Sequence, residues 1–505
     1  HGAPLWMLEA AAHLKTDEEI IEDMLSKEDT SPAHAHVVPV VPFLIPRDET
    51  GAVNLHRPYI DDIELEIDGT TYKRIPDVFD CWFESGSMPF ASLHYPFENK
   101  EIFDKNYPAD FIAESMDQTR GWFYSLINLG VGLFDRAPYK HVICNGLING
   151  SDGQKISKSL GNYTDPMLLI ERFGADAFRY YLMASPVIKG ENISFKDAEL
   201  EDVYKKIIQR LENVMSLYEM NKPDTVIAHS TSQDVLDVWI MSRLHEVIAS
   251  ATQGYDAYLL DEAVRPIDQF VDDLSVWYVR RARSRLKGED GEDIKMRTYE
   301  TLSYVLQSFS KTIAPVMPFI AERMYATSGG EKESVHLESW PKREAVESNV
   351  LVNMKRVRDT VSKALMVRSK LVIPVRQVLA SLTAAFSPAL PDEYLQLIRD
   401  EVNVKEVIVV EETENDHVVL DTVITPTLQS EGDMRNLMRA IQDARKQKGL
   451  SPKDSATLTL SGWKDHHDFA ELLKVCNVSG VTMSDDVQGE SVELSFGNVS
   501  FTLTV

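Results

Sequence analysis

Residues 151–162 read Ser-Asp-Gly-Gln-Lys-Ile-Ser-Lys-Ser-Leu-Gly-Asn, so Lys155 and Lys158 stand three apart beside the hydroxyls of Ser157 and Ser159, with glycine at either end. Two ammonium groups on flexible stems can follow the negative charge that builds on phosphoryl oxygens during a displacement, while hydroxyls and loop N–H groups add short donors. The plain alternative for a Lys/Ser-rich stretch is a solvated surface loop. A second cationic cluster, Arg280, Arg281, Arg283 and Arg285, suits either phosphate contacts or a salt-bridged helix face. His34/His36 and His466/His467 have no Cys or His partner at a metal-binding spacing, so no metal site is predicted. Gly130-Val131-Gly132 is followed by Asp135 where a dinucleotide fingerprint needs its third glycine, and it reads as helix packing.

The elements around the lysine loop decide what it can reach. Before it come a strand-like DFIAE (110–114), a helical DQTRGWFYSLINLGVGLF (117–134) and a strand-like HVICNGL (141–147). After it, Asp165 and Pro166 give the cap and first-position signals of a helix. Alternation of this kind predicts βαβ units and a parallel sheet, whose carboxyl edge is where open α/β sheets bind ligands. From about 198 the strands stop: Leu200, Val203, Ile207, Leu211, Val214 and Leu217 recur at helical spacing and open an all-helical bundle. Beyond about 346 a basic helix through Lys370 is followed by strand-like VIPVRQVLASL and VKEVIVVEE, a second basic helix and VELSFGNVSFTLTV.

Length and composition set the outer bounds. At 505 residues the chain exceeds one hydrophobic core, and 44% apolar with 26% charged residues is the balance of a folded, multidomain protein. No apolar run approaches the roughly 20 residues that span a bilayer, which predicts a soluble cytoplasmic protein without a membrane partner. Cys81, Cys144 and Cys476 form no Cys-x-x-Cys pair and are expected to be buried free thiols. With 52 basic against 79 acidic residues the net charge is −27, so any nucleic-acid contact must come from local basic patches.

The loop resembles the Lys-Met-Ser-Lys-Ser signature of class I aminoacyl-tRNA synthetases, with Ile156 in place of Met and the Gly-Asn-x-x-Asp-Pro continuation of the branched-chain subgroup. Phe79-Asp80-Cys81-Trp82-Phe83-Glu84-Ser85-Gly86 and Glu114-Ser115-Met116-Asp117-Gln118-Thr119-Arg120-Gly121-Trp122-Phe123 are similar to two further catalytic-domain motifs, the second in its isoleucyl form. Asp237 to Leu244, Trp277 to Arg281, Ala314 to Phe319, Ser334 to Leu337 and Asn403 to Val407 resemble segments of the helical anticodon-binding domain and beyond. Ser115 and Val276 stand where the family usually has Gly and Asn. The family's His-x-Gly-His element has no counterpart among the thirteen histidines, and the editing insertion is missing.

The resemblance implies the distal half of a Rossmann-like α/β catalytic domain, then an all-α anticodon-binding bundle and a C-terminal α+β region. The expected division is a β-rich connector at 1–75, the half catalytic domain at 76–197, the bundle at 198–346 and the α+β region at 347–505. It further implies that Glu114, Asp117 and Gln118 line the aminoacyl-adenylate site. Trp82 and Trp122 would wall the aliphatic side chain, Lys155 and Lys158 would act catalytically, and Lys155, Ser157, Lys158 and Ser159 would bind ATP. Both tryptophans also fit plain core. Arg280, Arg281, Arg283 and Arg285 are the candidate tRNA contacts. The implied reaction joins isoleucine to ATP, with Mg²⁺ and without protein-bound zinc, and passes the acyl group to tRNA(Ile). Valine is the near competitor, and this family is itself the standard illustration of how weakly an apolar pocket discriminates one methylene. The chain is expected to be a monomeric carboxyl-terminal portion, inactive alone. The competing readings are a valyl enzyme and a non-catalytic tRNA-binding relative.

Overall fold

A computed structural model describes residues 4–8, 61, 64–67, 70–78, 80–154, 156, 161–223, 232–411, 418–451, 454–464 and 469–504. Lys155, Ser157, Lys158 and Ser159 lie outside the described residues. The backbone divides into two units, one made of His1–Gly174, Phe178–Glu201 and Ala257–Asp261, the other of Ala175–Ala177, Asp202–Asp256 and Glu262–Val505.

In the first unit β1 (Pro4–Leu8), β2 (Glu64–Ile67) and β3 (Thr70–Val78) form an antiparallel sheet in the order β1-β3-β2. Helix α1 (Cys81–Ala91) starts at Asp80, whose side chain accepts the N–H of Phe83, and α2 (Lys100–Asn106) follows. Strand β4 (Ala109–Ser115) passes through a 3₁₀ turn, Met116–Arg120, into helix α3 (Trp122–Phe134). β5 (Tyr139–Asn145) then pairs parallel to β4 with Glu114 opposite Cys144. This is the βαβ unit that the alternating pattern predicts. Its packing rests on an aromatic group: Phe103 and Phe134 stand 5.1 Å apart, with Tyr95 and Tyr107 against both. Short β6 (Ile148–Asn149) and β7 (Ile193–Ser194) pair in parallel. Helix α4 (Pro166–Phe173) has Asp165 as its cap, accepting from Met167 N at 2.8 Å, with Pro166 in its first turn. Helix α5 (Ala175–Met183) follows.

The apolar stripe read from the sequence is buried in the structure. Leu200, Ile207, Leu211, Val214 and Leu217 lie inside along α6 (Asp197–Val203), a π-turn and α7 (Gln209–Met220), while Val203 of the same stripe is half-buried. The long helices α8 (Val235–Asp256) and α12 (Glu292–Ile313), both in the second unit, flank a broken run in the sequence. That run, continuous in the sequence pattern, is divided into α9 (Leu260–Val264), α10 (Pro266–Asp272), a π-turn over Asp273–Val279, and α11 (Arg283–Lys287). Proline at Pro266 cannot continue the ladder of the preceding turn, and the Ala314-Pro315 step likewise separates α12 from α13 (Pro318–Thr327). Helix α14 (Ser348–Lys370) leads to a sheet ordered β10-β8-β9, from β8 (Leu379–Ala385), β9 (Val404–Val410) and β10 (Val419–Leu420), with α15 (Asp392–Val402) between β8 and β9. The strand read over VIPVRQVLASL begins only at Leu379. The six residues before Gln377 are a turn tied to the end of α14 by Ile373 N→Arg368 O and Gln377 N→Pro374 O.

Helix α16 (Pro426–Gln447) and α17 (Ala470–Val475) cover a sheet ordered β12-β11-β14-β13, from β11 (Ala456–Ser461), β12 (Val478–Met483), β13 (Glu490–Leu494) and β14 (Gly497–Thr504). Leu437, Ile441, Leu458, Leu460, Val499 and Phe501 form its dry interior. The thiols differ from expectation: Cys476 is buried, Cys144 half-buried and Cys81 exposed at the start of α1. Among the described residues no helix is long and apolar enough to cross a membrane.

Candidate active site

Glu114 occupies the last turn-ward rungs of β4, so its side chain leaves the sheet at the carboxyl edge, where a parallel sheet opens toward ligands. The chain then tightens into the 3₁₀ turn, which carries Asp117 and Gln118 past the same edge. Glu114 and Asp117 are exposed and Gln118 is half-buried. The Gln118 side chain is already engaged within the fold. Its Oε1 accepts the N–H of Trp122 at 3.0 Å and so caps α3, a helix start with an otherwise open donor. Gly121 makes this possible. A Cβ there would stand 2.7 Å from Gln118 Oε1 and 2.9 Å from Trp82 Cη2, so only glycine lets the Trp82 ring and the capping amide close over the backbone.

Trp82 and Trp122 face different neighbours. Trp82 lies against Gly121 and remains 47% exposed. Trp122 donates its indole N–H to the Ser85 carbonyl at 3.0 Å, which locks α3 to α1. Trp122 also lines a cavity of about 250 Å³ with Met88, Phe103, Ile112 and Leu126. Trp122 thus borders a largely apolar cavity, whereas Trp82 lies outside that lining, against Gly121.

The described stems of the lysine loop are held by one carboxylate. Asp152 accepts from Gln154 N at 2.9 Å and from the Asn162 side chain at 3.3 Å, tying the two ends of the loop together, and Gly150 N→Gln154 O closes the first stem. Thr164 donates to Asp197 at 2.8 Å, fixing the outgoing stem to the start of α6. The described stems border a cavity of about 590 Å³, with Ser151, Asp152, Ile156, Tyr163 and Phe195 among its lining residues. Asp152, Asn162, Thr164 and Asp197 have no assigned role in the sequence reading; the Asp-Gly step at 152–153 was the available signal, since Asp is a common turn-closing acceptor. The chain after β5 runs close against residues 187–191: Gly146 donates to Val187 O, and a Cβ on Gly146 would stand 2.0 Å from Glu191 O.

The arginine cluster is drawn into the protein. Arg281 reaches Glu401 at 2.5 Å and Asp400 at 2.7 Å, and Arg280 reaches Glu401 at 2.5 Å. Arg285 pairs with Asp237 at 2.8 Å and Asp234 at 2.9 Å. Burial pushes the Asp237 carboxyl above its usual range, against the pull of Arg285 and Ser232, and the buried Tyr278 hydroxyl donates to it. Arg283 alone of the four is exposed without an ion pair among those found between described residues, so the cluster as a whole is not a phosphate-facing row. Among the described residues no group of three His, Cys, Asp or Glu side chains could hold a metal ion.

Residues 44–194 match the family of class I tRNA synthetases (I, L, M and V), and residues 237–384 match the anticodon-binding domain of tRNA ligases. The chain is 42% identical over 368 residues to the isoleucine–tRNA ligase of Protochlamydia amoebophila (strain UWE25), covering 70% of this chain and 35% of that protein. It is 35% identical over 469 residues to the isoleucine–tRNA ligase of Treponema denticola, covering 88% of this chain and 40% of the relative. The chain therefore spans between 35% and 40% of the length of these curated relatives. Among solved structures, the ternary complex of an Agrobacterium radiobacter K84 LeuRS with tRNA and LeuAMS aligns at 17% identity with a TM-score of 0.44, covering 72% of this chain and 44% of that one.

Proposed function

Since this chain belongs to the class I tRNA synthetases of the isoleucine, leucine, methionine and valine group, we propose that it is the carboxyl-terminal portion of an isoleucyl-tRNA synthetase working in the cytoplasm. In this reading residues 76–197 are the distal half of the catalytic domain, 198–346 the anticodon-binding bundle and 347–505 an appended α+β region. The observation that carries the reading is the run Glu114-Ser115-Met116-Asp117-Gln118, delivered to the carboxyl edge of the parallel β4–β5 pair, with the stems of the lysine loop in the same unit.

Glu114 and Asp117 would accept from the ammonium group of isoleucine and from ribose hydroxyls. Gln118 would set the start of α3, because its carbonyl oxygen is already committed to Trp122 N. Trp82 and Trp122 would wall the aliphatic side chain, supplying the shape and dispersion by which such a side chain is recognised. Lys155 and Lys158 would meet the ATP phosphates, on a loop whose ends Asp152 clamps. Mg²⁺ would arrive on those phosphates, since it keeps most of its water and needs few protein ligands, and it supplies charge neutralisation when bound. The acyl group would then pass to tRNA(Ile).

The test is Lys158→Ala in the enzyme completed with its amino-terminal part. Isoleucine-dependent pyrophosphate exchange should fall by orders of magnitude, with the thermal melt unchanged. An unchanged exchange rate removes the catalytic role of the loop.

A further inference from the structure

The carboxyl end of α14 turns on a residue that should not be there. Val372 N donates to Ser369 O and Ile373 N donates to Arg368 O, the paired bonds of a helix stop whose pivot normally is glycine in the left-handed region. Here the pivot is Val372 at φ +56°, a β-branched side chain in a backbone conformation that such residues avoid. The valine is also 86% exposed, with Met366, Leu371 and Val375 about half exposed around it, so packing in this chain does not account for its presence. A strained residue persists where its surroundings over-determine it, and strain of this kind gathers at binding surfaces.

The surroundings do over-determine it. Arg368, 1% exposed, lies under the turn and donates to Pro374 O and to Asn403 O, both at 3.0 Å. Asn403 adds a bond to Val375 O at 2.8 Å, and Arg435 donates to the Asn403 side-chain oxygen. No carboxylate pairs with Arg368 among the described residues, so a buried positive charge sits beneath the apolar tip while Lys370 and Arg376 flank it in solvent. In a chain with 79 acidic residues, the 32 positions from Thr360 to Pro391 contain none, and four cations: Lys363, Arg368, Lys370 and Arg376. A rigid, cationic, apolar-tipped turn is thereby set into an otherwise anionic protein.

We propose that the Lys370–Arg376 turn is an RNA-docking element, with Lys370 and Arg376 on phosphates and the Val372 side chain against an unstacked base or sugar. It rests on the reading of this chain as part of a tRNA synthetase, and it locates a tRNA contact away from the self-paired arginines of the 280–285 cluster. RNA fits better than a lipid surface because the apolar area is only a few side chains wide, whereas its charge is concentrated and held in place. Phosphate contacts supply register and affinity, and a projecting apolar side chain engages bases that are already unstacked.

The probe is a tRNA(Ile) transcript titrated against the 505-residue chain at several salt concentrations. Lys370→Ala/Arg376→Ala should weaken binding about tenfold at moderate salt and flatten the log–log salt slope by roughly 1.4 to 1.8, about 0.7 to 0.9 for each lost phosphate contact. Val372→Gly, which suits the left-handed backbone, should leave the slope unchanged, weaken binding about threefold to tenfold, and leave the thermal melt unchanged or raised. Equal affinity and slope in parent and both variants overturns the docking element while leaving the tRNA reading intact. A parent chain that binds no tRNA overturns both. Parent binding to phosphatidylserine vesicles that Val372→Gly abolishes, with tRNA affinity unaltered, overturns it in favour of a lipid surface.

Discussion

Arg281→Ala separates the two chemical roles open to an arginine in the 280–285 cluster. Arg281 is 11% exposed at its side chain and bonds Glu401, itself 7% exposed, while Arg280 supplies the second bond to the same carboxylate. Removing one partner of a fully buried pair costs about 3–5 kcal/mol because a charge is left dry and unpaired. Here Arg280 remains, so the loss is nearer one charge-assisted hydrogen bond to a buried acceptor, about 1.5–3 kcal/mol. The bond to Asp400, which is 46% exposed, adds well under about 1 kcal/mol. We therefore expect a destabilisation of about 2–3 kcal/mol in urea unfolding of the second unit. In the Glu401→Gln background the Arg281→Ala penalty should shrink by about 1 kcal/mol or more, since the charge it answers is gone. Arg283→Ala, by contrast, should leave the urea midpoint alone. A penalty below about 0.5 kcal/mol for Arg281→Ala, unchanged by Glu401→Gln, would refute the structural assignment and return Arg281 to the candidate tRNA contacts.

Two further outcomes follow from the geometry. Gly121→Ala must displace either the Gln118 cap or the Trp82 ring, and loss of the cap alone costs about 1 kcal/mol. Urea unfolding should show about 1–2 kcal/mol for it, and Gln118→Ala should add little on top; strict additivity would mean that the two residues are not coupled. His245 is buried and its Nδ1 accepts the N–H of Glu344 at 3.3 Å, which needs an unprotonated nitrogen, and burial holds its pKa below the ordinary 6.5. The unfolded chain then binds the proton first, so the contribution is intact above pH 6.5 and is lost as the pH falls below it. His245→Gln should remove that part of the acid sensitivity in thermal melts between pH 7 and pH 5; an unchanged pH dependence would count against it.

Local signals were legible in the sequence where one element settles the matter. The Asp165-Pro166 start of α4, the stripe from Leu200 to Leu217 and the parallel β4–β5 pair each follow from spacing or capping within a single stretch. What was hidden depends on partners far away in the chain. Arg281 and its acid Asp400 are 119 residues apart, and no periodicity announces that pair. The late start of β8 has the same origin, because Pro374 and the reach of Arg368 to Asn403 O turn the apolar VIPV stretch into a propped turn that a strand pattern cannot distinguish from an edge. At the candidate site the residue types of Glu114, Asp117 and Gln118 were readable, whereas the use of Gln118 as a helix cap was not, since it depends on how Gly121 folds the backbone back onto it.

In the proposed function this chain would carry one side of an isoleucine-activating site and would not turn over without the other. This is tested most directly by pyrophosphate exchange with isoleucine and with valine, measured on the 505-residue chain alone and on the same chain joined to the amino-terminal portion of an isoleucine–tRNA ligase relative. Lys158 and Glu114 would act only with the opposite groups holding the same phosphate in line, so no exchange is expected from the chain alone, and exchange favouring isoleucine is expected from the joined enzyme. Robust exchange by the chain alone, or a joined enzyme that folds, binds tRNA and stays silent with isoleucine, would contradict it.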